Sequence, residues 1–143
     1  MPYIPDDKIE DFAQYSPLTL AFTGDAVYEL YVRSRLMKKG SLNVNKLHKM
    51  ATHYVKASAQ SESVEAILNS LTEEETAVYK RGRNTKAATV PKNADMADYR
   101  RATGFEALLG YLYLGRRQDR LYEIMKMAYD AIEEKVAGNK SMR

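Results

Sequence analysis

The stretch LAFTGDAVYELYVR, Leu20 to Arg33, decides the fold. Its apolar residues do not alternate as a half-buried strand would; taken at alternating steps of four and three they continue a helical stripe. That stripe reads Leu18, Phe22, Asp25, Glu29, Val32, Leu36, and its four apolar members form an expected core face. Asp25 interrupts it, with Glu29 one turn further on. Outward from this stretch the helix has clear ends. Ser16 can accept from the first free amides, Pro17 suits the first turn, and Gly40 follows Lys38 and Lys39 where a helix should stop. A helix is predicted from about Pro17 to Lys39.

The same period recurs along the rest of the chain, and no alternating strand pattern competes with it. A second helical region covers about Asn43 to Leu71, with a break expected near Ser58 where small and polar residues cluster. Thr72 with Glu75 reads as a capping box, and Glu73, Glu74 and Glu75 favour the positive end of a helix dipole. That helix carries Tyr79 to Arg83 into a loop, Asn84 to Asn93, containing Pro91. Two more helices come after it, from about Asp95 to Leu114 and from about Gln118 to Val136. The tail from Ala137 to Arg143 is expected to fray. The expected fold class is therefore all-α. Residues 1–143 are read as one domain with its core over about 16–136 and flexible termini, a size that can bury roughly two-thirds of its unfolded surface.

The helix from Asp95 repeats the anomaly of the first one. Its stripe Tyr99, Ala102, Glu106, Leu109, Tyr113 sets Glu106 among apolar neighbours. An ionised carboxylate is costly in such a setting unless it is paired or binds a metal. Two acidic interruptions on two helices invite a shared cation. Mg²⁺ fits, because it takes oxygen ligands, keeps several waters, and can polarise a phosphodiester and activate water for attack. Two plainer accounts stand beside this one. Either carboxylate could lie at the edge of its stripe, or pair with an arginine, as Glu29 can with Arg33 four residues on. Gly24 beside Asp25, and Gly104 and Gly110 around Glu106, cost helix stability of up to about 1 kcal/mol each relative to alanine. They point to close approach by a second helix or by a ligand.

Composition narrows the function classes. The chain has no cysteine, which excludes disulfides, thiolate metal sites and cysteine nucleophiles and suits a reducing, cytoplasmic setting. The start, MPYIPDDKIEDF, is acidic and lacks the basic and apolar regions of a signal peptide, and no stretch approaches a membrane span. There is no phosphate loop and no dinucleotide fingerprint. Net charge is only +3, but residues 80–101 carry seven basic side chains against Asp95 and Asp98. The positive charge is local, as a surface for a polyanion requires. Within it Lys80, Arg81, Arg83, Lys86 and Lys92, with Asn84, Thr85 and Thr89, can neutralise phosphates and fix register along a backbone. Nothing there reads base edges, so recognition by shape is expected. A solvated face is the plainer account of the same charges. His48 and His53 lack an acidic ligand cluster and are read as packing or surface residues, although His48 beside Lys46 and Lys49 could meet phosphate. The eleven tyrosines suit amphipathic packing, with Tyr111 and Tyr113 as interface candidates.

These residues resemble a known family. Phe22, Thr23, Gly24, Asp25, Ala26 is similar to the core of the signature helix of ribonuclease III, and FEALLGYLYL, Phe105 to Leu114, resembles that family's second acidic helix. Leu47 and His48 also fall where the family places them. The combination of GDA, KRGRN and FEALLG in this order is similar to the Mini-III subgroup over about Leu18 to Leu121. The resemblance implies an all-helical endonuclease domain, a symmetric homodimer, and two active sites across one RNA duplex. It implies that Asp25 and Glu106 are catalytic metal ligands for Mg²⁺. It also implies bacterial maturation of the large-subunit (23S) ribosomal RNA precursor; whether a ribosomal protein assists is left open.

The chain departs from the broader ribonuclease III pattern at three places. Leu18 and Ala21 stand where acidic residues are expected ahead of the signature aspartate, and Thr103 replaces an aspartate three residues before Glu106. The number of metals per site therefore stays open. A separate double-stranded-RNA-binding domain usually comes next in that pattern; without it, the catalytic domain must bind RNA through its own basic segment. Two rivals remain. One is a catalytically inactive RNA-binding module, and the other a helical interaction protein whose carboxylates pair with arginines.

Overall fold

A computed structural model describes residues 9–86 and 90–141, with 139–141 given by backbone alone. Its described residues form six α-helices and no strand: α1 (Pro17–Leu36), α2 (Val44–Val55), α3 (Ala57–Ile67), α4 (Glu73–Arg83), α5 (Met96–Leu114) and α6 (Gln118–Ser141). The helix starts are capped, at Ser16 and Thr72 as expected and at Asn43 as well. Ser16 Oγ accepts from the Thr19 amide at 3.2 Å, and Asn43 Oδ1 accepts from the Asn45 amide at 2.8 Å. The capping box closes both ways, with Thr72 N–H donating to Glu75 Oε1 at 2.9 Å and Glu75 N–H to Thr72 Oγ1 at 3.1 Å.

The structure places three boundaries. The break expected near Ser58 is present and falls at Lys56, which is extended (φ −63°, ψ 155°) and separates α2 from α3. The turn Leu68–Ser70 after α3 is a short 3-10 helix, as is Met37–Lys39 after α1, where Gly40 ends the run at φ 97°. Helix α6, expected to end near Val136, runs on to Ser141. No proline interrupts it, and Lys135 is tied to Glu62 on α3 at 2.7 Å.

Helix α5 is the centre of the packing. From Ala102 to Leu114 every residue except Glu106, Tyr111 and Tyr113 is buried. Glycines let two other helices reach its backbone. A Cβ on Gly24 would stand 1.8 Å from the carbonyl oxygen of Glu106, and one on Gly110 would stand 2.0 Å from that of Leu20. Helices α1 and α5 therefore cross main chain on main chain. On another side of α5, a Cβ on Gly104 would meet the Tyr79 carbonyl oxygen at 2.6 Å, and one on Gly82 would meet the Gly104 Cα at 2.8 Å. The close approach read from the sequence is thus helix against helix at both places.

The crossing sets which face of α1 is inside. Leu20, Ala21, Gly24, Val27, Tyr28, Tyr31, Val32 and Leu36 are buried. The expected stripe is corrected: Val32 and Leu36 lie in the core, but Phe22 is 80% and Leu18 38% exposed. Helix α1 is apolar on most of its circumference, so spacing alone could not choose between two apolar faces; the bare glycine edge did. Five of the described tyrosines, Tyr28, Tyr31, Tyr54, Tyr79 and Tyr129, are buried. Tyr28 packs edge-on to Phe105, Tyr54 stacks on Tyr129 at 4.1 Å, and the Arg35 guanidinium lies 4.2 Å over Tyr129 while pairing with Asp130. Tyr111, expected at an interface, packs on Phe12 and donates its hydroxyl to Glu74 within the chain.

Gly24→Ala or Gly110→Ala should destabilise the fold by at least about 1–3 kcal/mol, since the overpacking cost exceeds the alanine helix gain of up to about 1 kcal/mol. Urea unfolding midpoints check this; an unchanged or raised midpoint would mean that the helices separate at no cost.

Candidate active site

Asp25 and Glu106 are brought together by the crossing itself. Gly24 rests on the Glu106 carbonyl, so the side chain of the next residue on α1 emerges beside that of Glu106 on α5. Asp25 is exposed and Glu106 half-buried. Glu106 is pushed from its ordinary 4.5 up to about 8, first by loss of water around it and then by the Asp25 carboxyl, acting as hydrogen-bond partner and as like charge. Among the described residues neither carboxylate forms an ion pair, which removes the arginine-paired account of their placement. Glu29 does pair with Arg33, at 3.6 Å. The local electrostatics therefore leave two acids facing each other with no positive group to answer them.

Sequence reasoning missed one member of this site. Gln60 on α3 is 2% exposed, and its amide Nε2 donates to the Val55 carbonyl at 2.9 Å and to Glu106 Oε2 at 3.3 Å. A single buried glutamine leaves no periodic signal, and only the break in the second helical region hints that something special happens there. The three departures from the broader pattern are also placed. Leu18 faces outward, Ala21 is buried, and Thr103 donates its hydroxyl to the Tyr99 carbonyl at 3.0 Å. No group of three or more acidic, histidine or cysteine side chains that could hold a metal exists among the described residues. The donor set is two carboxylates with an amide beside them. These are hard oxygen ligands, few in number and short of positive charge, and they fit a cation such as Mg²⁺ that retains most of its water.

The basic segment is organised by α4. Lys80 and Arg81 are exposed near its C-terminal end, Asn84 caps it, and Lys86 and Lys92 are exposed in the loop beyond. Arg83 is half-buried, its guanidinium 5.7 Å from the Tyr79 ring centre and its Nε donating to Asn84 Oδ1 at 3.2 Å. None of Lys80, Arg81, Arg83, Lys86 and Lys92 forms an ion pair among the described residues, whereas Arg101 is held by Glu65 at 3.1 Å. Thr89 lies outside the described residues. The structure does not bring these cations into contact with the carboxylates: the groups acting on Glu106 are Asp25 and Gln60. The two features sit at different points of the same helix, since α4 crosses α5 at Gly104 and α1 crosses it at Gly110. His48 and His53 are exposed on α2.

The opposite end of α4 is locked. Glu75, 2% exposed, accepts two hydrogen bonds from Arg120, and Glu74 accepts two from Arg117. Both glutamates are held below the ordinary carboxylate range, chiefly by these guanidinium groups. From sequence, Glu73, Glu74 and Glu75 read only as dipole partners; their arginines lie too far along the chain for spacing to reveal.

Comparison with known proteins agrees with this arrangement. The family model of the ribonuclease III domain matches residues 18–117. A Mini-ribonuclease 3 from Enterococcus faecalis is 48% identical over 128 residues, covering 88% of this chain and 97% of that protein. One from Clostridium tetani is 51% identical over 126 residues, covering 87% of this chain and 83% of the relative. A crystal structure of a protein from Fusobacterium nucleatum matches with a TM-score of 0.74 at 34% identity, over 83% of this chain and 95% of the other. At this identity and coverage the chain belongs to the ribonuclease III family, among the Mini-ribonuclease 3 proteins, and is an endoribonuclease of that type.

Proposed function

We propose that this endoribonuclease hydrolyses phosphodiesters within double-stranded RNA, using Mg²⁺ held by Asp25 and Glu106, in maturation of the large-subunit (23S) ribosomal RNA precursor in the cytoplasm. The observation that carries the reading is the carboxylate pair itself, with Glu106 pushed up to about 8 beside Asp25 and, among the described residues, no cation paired with either. Bound there, Mg²⁺ would polarise the scissile phosphodiester and acidify the attacking water. The protein's own part is positional. The Gly24–Glu106 contact fixes the spacing of the two acids, and Gln60 holds one oxygen of Glu106. Lys80, Arg81, Arg83, Asn84, Lys86 and Lys92 grip the RNA backbone by charge and shape.

The active unit in this reading is one catalytic domain acting as a homodimer. Tyr15, Leu18, Phe22 and Leu30 leave an apolar face exposed at the start and middle of α1, with the Phe22 ring 80% exposed beside Asp25 in sequence. A contiguous exposed apolar patch, as opposed to a single apolar side chain, marks an interaction surface. Covering that face with a second copy would set the two carboxylate pairs near the shared interface, where one duplex can meet both. A catalytically inactive RNA-binding module is the competing reading, favoured by the small number of carboxylates.

Asp25→Asn and Glu106→Gln should each abolish Mg²⁺-dependent cleavage of a long RNA duplex while remaining folded. A folded wild type that binds but never cleaves, even on a ribosomal precursor duplex, would establish the inactive module instead. The same Glu106→Gln variant tests the electrostatics. The folded-state affinity of Glu106 for its proton is raised, so its contribution to metal-free stability is complete below about pH 4.5 and is lost as pH rises through about 8. Metal-free melts should therefore show Glu106→Gln at least as stable as wild type, with the difference growing across that window; a lower midpoint at pH 8 would contradict it.

Replacing Lys80, Arg81 and Lys86 by alanine should weaken duplex binding across sequences and reduce the salt slope by about one for each phosphate no longer held. A wild-type slope in the triple variant would remove the segment from the RNA surface. Phe22→Asp should sediment as a monomer; a dimer of unchanged stability would place the subunit contact elsewhere.

A further inference from the structure

The buried amide of Gln60 has more hydrogen-bonding capacity than the fold uses. Val55 ends α2, and because Lys56 turns extended, the Val55 carbonyl leaves the helical ladder and needs a donor. Gln60, on the first turn of α3, supplies it at 2.9 Å. Its second contact is Glu106 Oε2 at 3.3 Å. The Val55 carbonyl can only accept, so the amide nitrogen must face it, and the amide orientation is set. The amide oxygen is then left over: Gln60 Oε1 is buried and has no hydrogen-bond partner. An orphaned acceptor in a 2% exposed side chain is costly, and a helix break needing one donor does not require it.

The position of that oxygen is bounded by bond lengths. Bonds of about 1.23 and 1.33 Å keep Oε1 within about 2.6 Å of Nε2, and therefore within about 6 Å of Glu106 Oε2. A cation about 2.1 Å from the carboxylate, a water of its shell at a similar distance, and a hydrogen bond of about 2.8 Å together span up to about 7 Å. One shell water fits that reach. Such acceptors are also what this site lacks. With Leu18, Ala21 and Thr103 in place of further acids, a six-coordinate cation keeps many waters, whose protons need protein oxygens.

We propose that Gln60 is the positioning residue of the carboxylate pair: its nitrogen fixes the Glu106 carboxylate, and its oxygen accepts a hydrogen bond from a water of the divalent cation's shell. The inference rests on the metal-site reading of Asp25 and Glu106 given above. Gln60 acts through Glu106 and the cation and does not touch the RNA.

The test is Mn²⁺ binding by calorimetry on wild type, Glu106→Gln and Gln60→Met, with duplex cleavage measured alongside. Methionine keeps the length of the side chain and removes both polar ends. Folded Gln60→Met should bind Mn²⁺ about 10–100-fold more weakly. It should lose kcat at limiting Mg²⁺ with KM for RNA unchanged, and should recover part of that kcat at high Mg²⁺. Wild-type Mn²⁺ affinity in folded Gln60→Met would overturn the proposal while leaving the carboxylate site intact. Absence of binding by wild type would instead overturn the metal site and this inference with it. If Gln60→Met does not fold, Gln60→Glu decides. A carboxylate oxygen there should make the Mn²⁺-induced rise in melting temperature larger than in wild type, and an equal or smaller rise overturns the proposal.

Discussion

The contact on which the rest depends is the crossing of α1 and α5 through Gly24 and Gly110. Two helices whose facing residues have no side chain approach until carbonyl oxygens occupy the space a Cβ would need. The contact buries the Leu20, Gly24, Tyr28 and Tyr31 side of α1 against α5 and turns Phe22 out into solvent. It also determines the chemistry. A crossing at ordinary distance, with alanines between, would move Asp25 away from Glu106 and relieve the repulsion between the two acids. Packing and function are thus linked by the same two missing methyl groups.

The second crossing, of α4 over α5 at Gly82 and Gly104, organises charge instead. Helix α4 is acidic at its start and basic at its end, matching its own dipole. Its acidic end is consumed internally, Glu75 by Arg120 and Glu74 by Arg117. Removing one partner of the buried Glu75–Arg120 pair would strand a charge, so this end is fixed in place. The basic end has no such partners among the described residues, where Lys80 and Arg81 are exposed and form no ion pair. The modest net charge of +3 therefore understates the polarity of the surface, because Arg35, Arg101, Arg117 and Arg120 are already paired.

Helix ends and the all-helical class were legible because they depend on local chemistry: Ser16, Asn43 and Thr72 each cap the helix that starts beside them, and Gly40 stops the run before it. The glycines were legible as sites of close approach, but not as pairs, since pairing requires knowing which helices meet. The inward face of α1 was not legible for the same reason. Leu18, Phe22, Val32 and Leu36 keep perfect helical spacing, yet a helix apolar on several sides has no unique stripe, and the partner helix selects among them. The carboxylates stood out through their anomalous setting and through family resemblance; Gln60 did not, because a buried amide owes its place to partners on two other helices. The same holds for the arginines that hold α4, forty or so residues from the acids they bind.

A site of this kind is held by the fold against its own electrostatics. Lone carboxylates normally move apart or find an arginine, but Asp25 cannot retreat along a helix whose backbone is seated on α5, and Glu106 is tied to Gln60. The cost of that arrangement rises as pH climbs through the range in which Glu106 would ionise. In the metal-site reading proposed above, a divalent cation would remove that cost by supplying the missing charge, and its binding and the stability of the fold would be one equilibrium. The orphaned amide oxygen and, among the described residues, the lack of an arginine paired with either acid act in the same direction: each costs the metal-free protein something, and in that reading each would be answered by the same cation and its waters.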